Sequence, residues 1–597
     1  MKKIYKYLIL VLILISNIIF PKNKDSLTVL SNNVESITYK TDKFYLTYDS
    51  WGVNGGFFNY GLPGYSLRNS YNGMETVAPL FRKQPLPWYN SDYTKIKSDQ
   101  NSVQINSEFF ETKSLHSEFS YFKGDYGYSY FSMRMGRKVS DSLYWTLYGK
   151  NFSSEGSKGL YGKNYQRKGE SLGQSYHLDF YFNNASWKSK AGISYNKYYP
   201  GLMGYKELEY GVEETYLSLT HAGHLGQKEI RNYFITQHMG RDSTKLGVSF
   251  SNHYYKIKNI VFNHKYNLSA TSINLNFQRN IRIGSKTFLV EYLPSFQDVT
   301  LENNEKEAKN FYRMNLSYKD SVFYGKTGLS LKLLNFNAGY DLFYKYKWDS
   351  SFSIELNTAK NYFEYPISYE LGEFTKSNPK QNFGHYYKNN LNFNFKSKSF
   401  YLEQNFIHIN SNYLYPKKEF ITDSLTYLEK RNVSNLYFYH RSEVSLPAGL
   451  KIDTKMIYTP ADSDRFINFY GRGRIQQNLT PVFGTIADII PEYLGFFKSY
   501  FRKIQQNMIP YWTGEISYLQ GGNRLIWLQS LQQGGASSIQ YYTNNRLTVD
   551  LKMGFRVKSF HFFYSIYNLM DRKQSTIGGM PYRGRLKVYG IKWSFLD

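Results

Sequence analysis

The sequence contains no cysteine among its 597 residues. Disulfides, thiolate nucleophiles and cysteine-ligated zinc are therefore excluded. An exported chain without disulfides must be stabilised by its secondary structure alone. A closed β-sheet achieves this because closure leaves no unpaired strand edge.

Long hydrophobic runs are also missing beyond residue 20. The mean hydropathy of the chain is −0.54, and no later segment approaches the roughly 20 apolar residues that a membrane-spanning helix needs. These two observations exclude an α-helical membrane protein.

Acidic residues are few relative to basic ones: 47 Asp and Glu stand against 74 Lys and Arg, a formal charge of +27. Such a charge suits anionic solutes or lipid phosphates, and it also occurs in nucleic-acid-binding proteins. The lysines are scattered and form no basic stripe, so we expect no nucleic-acid partner. Lys, Asn, Ile and Tyr are all abundant, as in an AT-rich genome, and that composition explains the charge equally well.

The first 20 residues have the pattern of a secretory signal peptide. Lys2 and Lys3 precede an apolar run over 8–15, and Pro21 and polar residues end it. A charged start, a short apolar core and a polar exit are typical of export signals. No small-x-small cleavage triplet is present, so the cleavage position stays open, and an uncleaved inner-membrane anchor is the alternative.

Aromatic residues make up 19% of the chain, with 60 Tyr and 44 Phe. Both favour strands, and Tyr suits a membrane–water interface because one end is apolar and the other forms hydrogen bonds. A polar average with this aromatic content is typical of a transmembrane β-barrel. Aromatic and proline residues off the regular strands are the candidates for ligand contacts: Pro85, Pro87, Trp88, Tyr89 and the run 198–201.

A period of two dominates from about residue 105 onward, which indicates strands with one apolar and one wet face. In 546–557, apolar residues occupy the odd positions, and polar residues or glycine occupy the even ones. In 271–283, the apolar side runs from Ile273 to Ile283, and Arg279 is the one polar residue within that run.

These segments predict an all-β fold, a large antiparallel transmembrane β-barrel over 106–597. We expect 20 to 24 strands, with 22 as the best number, preceded by a small plug-like segment over 21–105. Short polar turns alternate with longer loops, as at the periplasmic and external ends of a barrel. A soluble β-helix or sandwich is the alternative, but the chain shows no regular repeat of the kind that a β-helix needs.

Residues 478–505 interrupt the alternation. A helix-compatible run over 483–490 is ended by Pro491, and a second run covers 493–504. We expect a partly helical loop or an inward fold. A 22-strand lumen is too wide to be sealed by its own wall side chains, so this insertion and the N-terminal segment are its expected fillers.

The C-terminal segment resembles the end of TonB-dependent receptors. Barrels of that family often end with Asn-Leu-x-Asp, a loop, Pro-x-x-Gly-Arg and a final strand that closes on Phe. The matching positions are Asn568, Leu569, Asp571, Pro581, Gly584, Arg585 and Phe595. Two further residues follow this Phe, which departs slightly from the family pattern.

The N-terminal region is similar to part of the plug domain of that family, at a glycine-rich turn that precedes a short strand. The matching residues are Gly61, Pro63, Gly64, Asn72 and Gly73. Residues 93–105 are the expected last strand of the plug. The segment is shorter than the plug of the family, so the resemblance implies a truncated one.

A short box that binds the TonB protein opens the mature chain in TonB-dependent receptors. The residues that resemble it here are Asp25, Ser26, Leu27, Thr28 and Val29. The alternative is an ordinary mature N-terminus, because five residues of this character match easily by chance.

Motifs for catalysis or metal binding are not evident. Ser171 in GESLG fits the GxSxG pattern, but that pattern has meaning only on a strand-to-helix turn, and here it leads into a strand-like segment. His116 and Glu118 share one face of a strand, but two groups do not make a metal site. We expect no enzyme activity, no catalytic or metal site and no cofactor.

Three functions remain open. The resemblance implies an outer-membrane transporter or receptor that passes or captures a solute through a wide polar barrel. The alternatives are a passive porin-type channel without energy coupling and a surface binding or structural barrel without transport. The expected partners are outer-membrane lipid and lipopolysaccharide, the barrel-assembly machinery, TonB and an unidentified solute.

Overall fold

The computed structural model describes 26 segments of the chain. They are residues 44–46, 57–59, 62–63, 66–69, 75–77, 94–98, 102–107, 113–125, 127–154, 171–184, 187–199, 205–207, 227–241, 244–259, 264–300, 306–322, 325–334, 337–364, 383–418, 426–458, 467–521, 525–528, 533–537, 546–572, 582–583 and 585–596.

Among the described residues, seven short strands precede the barrel. They are β1 (Phe44–Leu46), β2 (Phe57–Asn59), β3 (Leu62–Pro63), β4 (Ser66–Asn69), β5 (Glu75–Val77), β6 (Thr94–Ser98) and β7 (Ser102–Ser107). β1, β2 and β3 form one antiparallel sheet, and a second sheet has the order β5-β4-β7-β6. The expected single strand over 93–105 is a hairpin of β6 and β7.

The barrel begins at β8 (His116–Gly124), and β7 spans the predicted boundary at 105/106. The next strands are β9 (Ser129–Lys138), β10 (Leu143–Ser154), β11 (Ser171–Asn183), β12 (Trp187–Tyr199), β13 (Tyr205–Glu207), β14 (Gln227–Arg241), β15 (Thr244–Asn259), β16 (His264–Ile283), β17 (Lys286–Thr300), β18 (Lys306–Val322), β19 (Gly325–Leu334), β20 (Asn337–Lys347), β21 (Phe352–Glu364), β22 (Phe383–Lys396), β23 (Phe400–Lys418), β24 (Thr426–Ser445), β25 (Leu450–Tyr458) and β26 (Ile467–Asn478).

Helices follow β26, and the barrel then resumes. The elements are α1 (Thr480–Ile489), a 3-10 turn (Glu492–Leu494), α2 (Gly495–Asn507), β27 (Ile509–Gly521), β28 (Leu525–Leu528), β29 (Gln533–Ser537), β30 (Arg546–Val557), β31 (Phe560–Tyr567), β32 (Tyr582–Arg583) and β33 (Leu586–Leu596). In the described part of the chain, no helix has the length and apolar character to cross a membrane.

The wall closes into a ring because the last strand, β33, pairs with the first barrel strand, β8, from Val588 opposite Gly124 to Leu596 opposite His116. The closed order contains 24 strands. Two of them, β28 and β29, form a hairpin outside the wall, since β27 pairs directly with β30. The wall therefore has 22 strands, which confirms the predicted large antiparallel barrel and its expected strand number.

The two ends of the barrel differ in their connections. At one end, here the short-turn end, nine connections between wall strands contain two to four residues. At the other, the long-loop end, connections contain up to 27 residues, and they include β13, β32 and the β28–β29 hairpin. The helical segment between β26 and β27 belongs to the short-turn end, where it replaces a tight turn.

Alternation along each strand separates two faces, as the period of two predicts. In β16, Ile273, Leu275 and Phe277 are exposed on the outer face, while Ser272 on the opposite face is buried. Arg279 lies on the outer face opposite Thr244, the first residue of β15. Arg279, the exception in the apolar pattern, therefore lies level with the end of the neighbouring strand and not in the middle of the wall.

The seam between β33 and β8 is packed by aromatic rings on the inner face. Phe122 stacks on Tyr130 at a centroid distance of 4.7 Å and meets Phe563 edge-on at 5.1 Å. A Cβ on Gly590 would lie 2.3 Å from Phe122 Cδ1 and 2.7 Å from the Tyr121 carbonyl oxygen. The closing strand thus depends on a glycine where the rings of three strands meet.

Gly590→Val should destabilise the barrel by about 1–3 kcal/mol, because a side chain at this site overpacks the seam. Gly149→Val is the matched control, since a Cβ on Gly149 meets only ring atoms of Tyr176 at 3.7 Å or more. The measurement is the temperature at which the unboiled gel mobility of each variant converts to the boiled one. Equal conversion temperatures for both variants would contradict the packing role of Gly590.

Candidate functional site

The inner face of β24 to β30 carries a row of charged side chains. Neighbouring strands place Glu443 opposite Asp453, Arg474 opposite both Asp453 and Glu515, and Glu515 opposite Asp550. We call these five residues the charged row. It crosses β24, β25, β26, β27 and β30, and it joins residues that lie between positions 443 and 550 of the sequence.

Asp453 pairs with two arginines of β26, Arg474 of the row and Arg472 two positions before it. Its Oδ1 accepts a hydrogen bond from Arg472 at 2.7 Å, and its Oδ2 accepts one from Arg474 Nε. The Asp453 side chain is 15% exposed and those of both arginines 10% exposed. Paired charges at this depth interact more strongly than surface pairs, and loss of one partner leaves the other uncompensated.

Other lumen-facing groups are linked by hydrogen bonds, either across strands or along one strand. Glu291 accepts from Gln278 at 2.7 Å and from Asn315 at 3.2 Å, which joins β16, β17 and β18. On β23, Glu403 accepts from Tyr401 and from Asn405, at 3.0 and 2.8 Å. The inner wall is therefore a polar surface with donors and acceptors of both charges. It is not a uniformly basic one, despite the net charge of the chain.

Parts of this inner face are fully covered. Tyr437, Tyr439 and Ile407 on β23 and β24 are at most 2% exposed, as are Phe122 and Tyr130 at the seam. A wall of 22 strands is too wide for its own side chains to fill. These inner residues therefore lie under further chain or under dense packing at the wall.

Tryptophans mark the level of the short-turn end. Five of them lie at that end, on the first or last four residues of a strand or in the turn itself: Trp145, Trp187, Trp348, Trp512 and Trp593. Of these, Trp512 on the outer face donates from its Nε1 to Gln477 Oε1 at 2.9 Å. We call these five residues the tryptophan belt. Such belts occur where a protein crosses a membrane–water interface.

The insertion after β26 is helical, as predicted for 478–505. Pro491 separates α1 from the 3-10 turn and α2. A proline disfavours helical geometry at the residue before it, and Ile490 is extended here. The helices pack through Phe483 and Phe501, whose rings stack at 5.7 Å. On α1, the small residues Gly484 and Ala487 are buried.

Residues of the C-terminal family motif are linked by hydrogen bonds at the long-loop end. Asn568 and Asp571 have positive φ, which Asn and Asp tolerate better than most residues. The Asn568 backbone N–H donates to Asp550 of the charged row at 2.8 Å, and the Asn568 side chain bonds the backbone of Arg572 in both directions. Asp571 accepts from the backbone N–H of Arg585 at 2.8 Å. The motif residues therefore join the turn after β31 to β30 and to the start of β33.

The remaining motif positions are less informative. Leu569 is partly exposed, and the backbone of Phe595 pairs with Ser117 on β8. Pro63 lies in β3. The other predicted residues lie outside the described segments: Asp25, Ser26, Leu27, Thr28, Val29, Gly61, Gly64, Asn72, Gly73, Pro581 and Gly584. The signal peptide and the candidates 85–89 also lie outside them.

The GxSxG match at Ser171 and the pair of His116 and Glu118 both lie in strands. Ser171 opens β11 and pairs with Ser154 on β10, so it does not occupy a strand-to-helix turn. His116 and Glu118 share a face as expected, with Nε2 and Oε1 3.6 Å apart. Among the described segments, no group of three metal-ligating side chains comes together.

Comparison with known proteins gives structural matches only. No family profile and no curated protein matches the sequence. The ferric enterobactin receptor PfeA of Pseudomonas aeruginosa, solved as a variant with enterobactin, superposes with a TM-score of 0.63 at 8% identity, over 93% of this chain and 95% of that one. The FrpB iron transporter of Neisseria meningitidis gives 0.65 at 7% identity over 94% and 96%. The siderophore receptor PirA of Acinetobacter baumannii gives 0.61 at 10% identity over 93% and 94%.

These likenesses extend over almost the whole length of each chain. The chain therefore has the fold of TonB-dependent receptors, and the resemblance stated from the sequence is confirmed at the level of fold. At identities of 7–10%, shared ligands do not follow from shared fold.

Asp453→Asn should destabilise the barrel by about 3–5 kcal/mol, because it removes the common partner of two mostly buried arginines. Glu443→Gln is the matched control: its bond to Arg441 involves a carboxylate side chain that is 43% exposed, so we expect a loss below about 1 kcal/mol. Urea unfolding of each refolded variant in vesicles, followed by tryptophan fluorescence, measures the difference. A loss at Asp453 no larger than at Glu443 would contradict the role of Asp453 as the common partner of two arginines.

Proposed function

We propose that the protein is an outer-membrane receptor that takes up a polar solute through its lumen. The observation that carries this proposal is the closed 22-strand wall, apolar outside and hydrogen-bonded inside. Such a wall satisfies its backbone within lipid and leaves a wide polar passage. The fold shared with solved receptors and transporters supports the same conclusion.

The outer face supports a location in the outer membrane. Apolar side chains such as Ile475, Ile516 and Met553 are 42–49% exposed there, which is stable only against lipid or another apolar surface. The tryptophan belt then lies at the inner interface and the long-loop end outside the cell, since short turns are periplasmic in barrels of this type. Outer-membrane lipid and lipopolysaccharide are the surroundings that this orientation implies. The C-terminal strand β33 would be the segment that engages the barrel-assembly machinery.

Residues 21–105 are our candidate for the lumen filler. The complete burial of inner residues such as Tyr130 and Tyr437 supports a covered inner wall, and the N-terminal sheets are the part of the chain that precedes the barrel. The resemblance of 61–74 to a plug supports the same assignment. A filled lumen passes solute only when the filler moves, so this arrangement favours gated uptake over passive diffusion.

We further propose that uptake is energy-coupled through TonB. Residues 25–29 would bind TonB, and force on that segment would displace the filler. PfeA and PirA are named as receptors for ferric enterobactin and siderophores, so ferric enterobactin is the first solute to test. The described inner wall carries polar groups of both charges, which suits a ligand with several hydrogen-bonding groups.

Gating can be tested in planar bilayers. The full chain should stay closed, and a chain lacking residues 26–105 should conduct in large steps, because removal of the filler opens a lumen of 22 strands. A heat-shift gel first establishes that both forms are folded barrels. Equal conductance of both forms would favour the passive channel, and conductance by neither would leave a binding or structural barrel.

Deletion of residues 25–29 should abolish binding of the full-length protein to the periplasmic domain of TonB, as measured by calorimetry. The triple variant Ser31→Ala/Asn32→Ala/Asn33→Ala is the control and should bind like the unaltered chain. Equal binding after the deletion would show that these five residues are an ordinary mature N-terminus.

A further inference from the structure

The helical hairpin of α1, the 3-10 turn and α2 is the feature of this barrel that the proposed function leaves unexplained. The other nine connections at the short-turn end contain two to four residues, but here 30 residues join β26 to β27. A tight turn would suffice to connect two paired strands. The extra residues therefore serve something other than strand connection.

The hairpin exposes a large aromatic surface. The exposed fractions are 84% for Tyr493, 79% for Phe496, 53% for Phe497 and 55% for Tyr500. On α2, Phe496, Phe497 and Tyr500 fall within one arc of the helix, since residues three and four apart are neighbours. A contiguous exposed surface of this kind indicates an apolar partner.

The rest of the α2 surface carries basic residues. Lys503 borders the aromatic arc, Lys498 and Arg502 lie on the opposite side of the helix, and the helix contains no acidic residue. Arg502 forms a long ion pair with Asp488 of α1, with 3.7 Å between the guanidinium nitrogen and the carboxylate oxygen. An aromatic face with lysine and arginine on the polar side is the pattern of helices that lie in a membrane interface.

The position of the hairpin agrees with this pattern. α1 begins three residues after Gln477, and Gln477 is bonded to Trp512 of the tryptophan belt. The hairpin therefore starts at the level where the barrel leaves the membrane. The two strands that it joins carry Ile475 and Ile516, which are exposed apolar residues of the outer face.

We propose that the hairpin is an interfacial anchor that inserts Phe496, Phe497 and Tyr500 into the periplasmic leaflet of the outer membrane. Lys498 and Lys503 contact the headgroup phosphates of phospholipid. The inference rests on the proposed membrane location. It differs from the filler role expected from the sequence, because the occupant of the aromatic surface is lipid and not the lumen. Anchored this way, the hairpin fixes the depth and tilt of β26 and β27, the strands that carry Arg474 and Glu515 of the charged row.

The absence of cysteine allows a direct test with single-cysteine variants of the full chain. Tyr500→Cys reports on the aromatic arc, and Gln506→Cys reports on the polar side of the same helix. Ile516→Cys is the lipid-facing reference on the wall, and Ser140→Cys is the water-facing reference in a short turn. Each variant carries an environment-sensitive fluorophore, is checked by heat-shift gel and is reconstituted in vesicles of phosphatidylethanolamine and phosphatidylglycerol.

We expect doxyl-labelled phospholipid to quench about half of the fluorescence at position 500, because interfacial helices bury their apolar face at the headgroup–acyl boundary. Position 516 should be quenched comparably, and positions 506 and 140 should respond mainly to aqueous iodide. Quenching of 516 but not of 500 by lipid would overturn the anchor and leave the barrel in the membrane. Lack of lipid quenching at 516 would overturn the membrane location, and with it both proposals.

Discussion

The structure depends on one constraint: a backbone placed in lipid must satisfy all of its hydrogen bonds within the protein. The pairing of β33 with β8 meets it for the strands that would otherwise be edges. This pairing joins the two ends of the barrel sequence, and a contact between Ser594 and His116 spans 478 positions at 3.4 Å. The aromatic cluster around Gly590 stabilises this seam. So do two hydrogen bonds of Asp125: its backbone N–H donates to the Lys587 carbonyl, and its carboxylate accepts from the Lys587 N–H.

Closure gives each strand a lipid side and a lumen side. The lipid side requires apolar side chains, and the lumen side accommodates polar and charged ones. Outside, apolar side chains face lipid, and tryptophans end the apolar band. Inside, charges are partnered across strands, as Asp453 is with Arg472 and Arg474. Since a ring of 22 strands is too wide to fill itself, the same geometry that satisfies the backbone creates a lumen that must be filled or used. Uptake of a polar solute is the use that we propose for it.

The two barrel ends have different roles within this geometry. Long connections at one end carry additional pairing, such as that of β13 with β32 and of β29 with β23. The family motif around Asn568 and Asp571 belongs to that end, where Asp571 connects the turn after β31 to the start of β33. At the short-turn end, tight turns and tryptophans define an interface, and the helical hairpin is placed on it.

The sequence by itself determined the faces. Alternation is a local property, so the lipid and lumen sides of β16 and β30, the all-β class and the approximate strand number could be predicted from neighbouring residues. The helical insertion was predictable for the same reason, since Pro491 and the loss of alternation are local. The Asn568 motif was recognisable by resemblance, but its hydrogen bonds to β30 and to the start of β33 could not be predicted.

Only the tertiary structure decided which residues meet. The charged row depends on the register of five strands, and a shift by one residue between β25 and β26 would separate Asp453 from Arg474. Register follows from turn geometry and from closure of the whole ring, which no local pattern encodes. The same holds for the level of the tryptophan belt and for the seam, because both are properties of strands aligned around a closed wall.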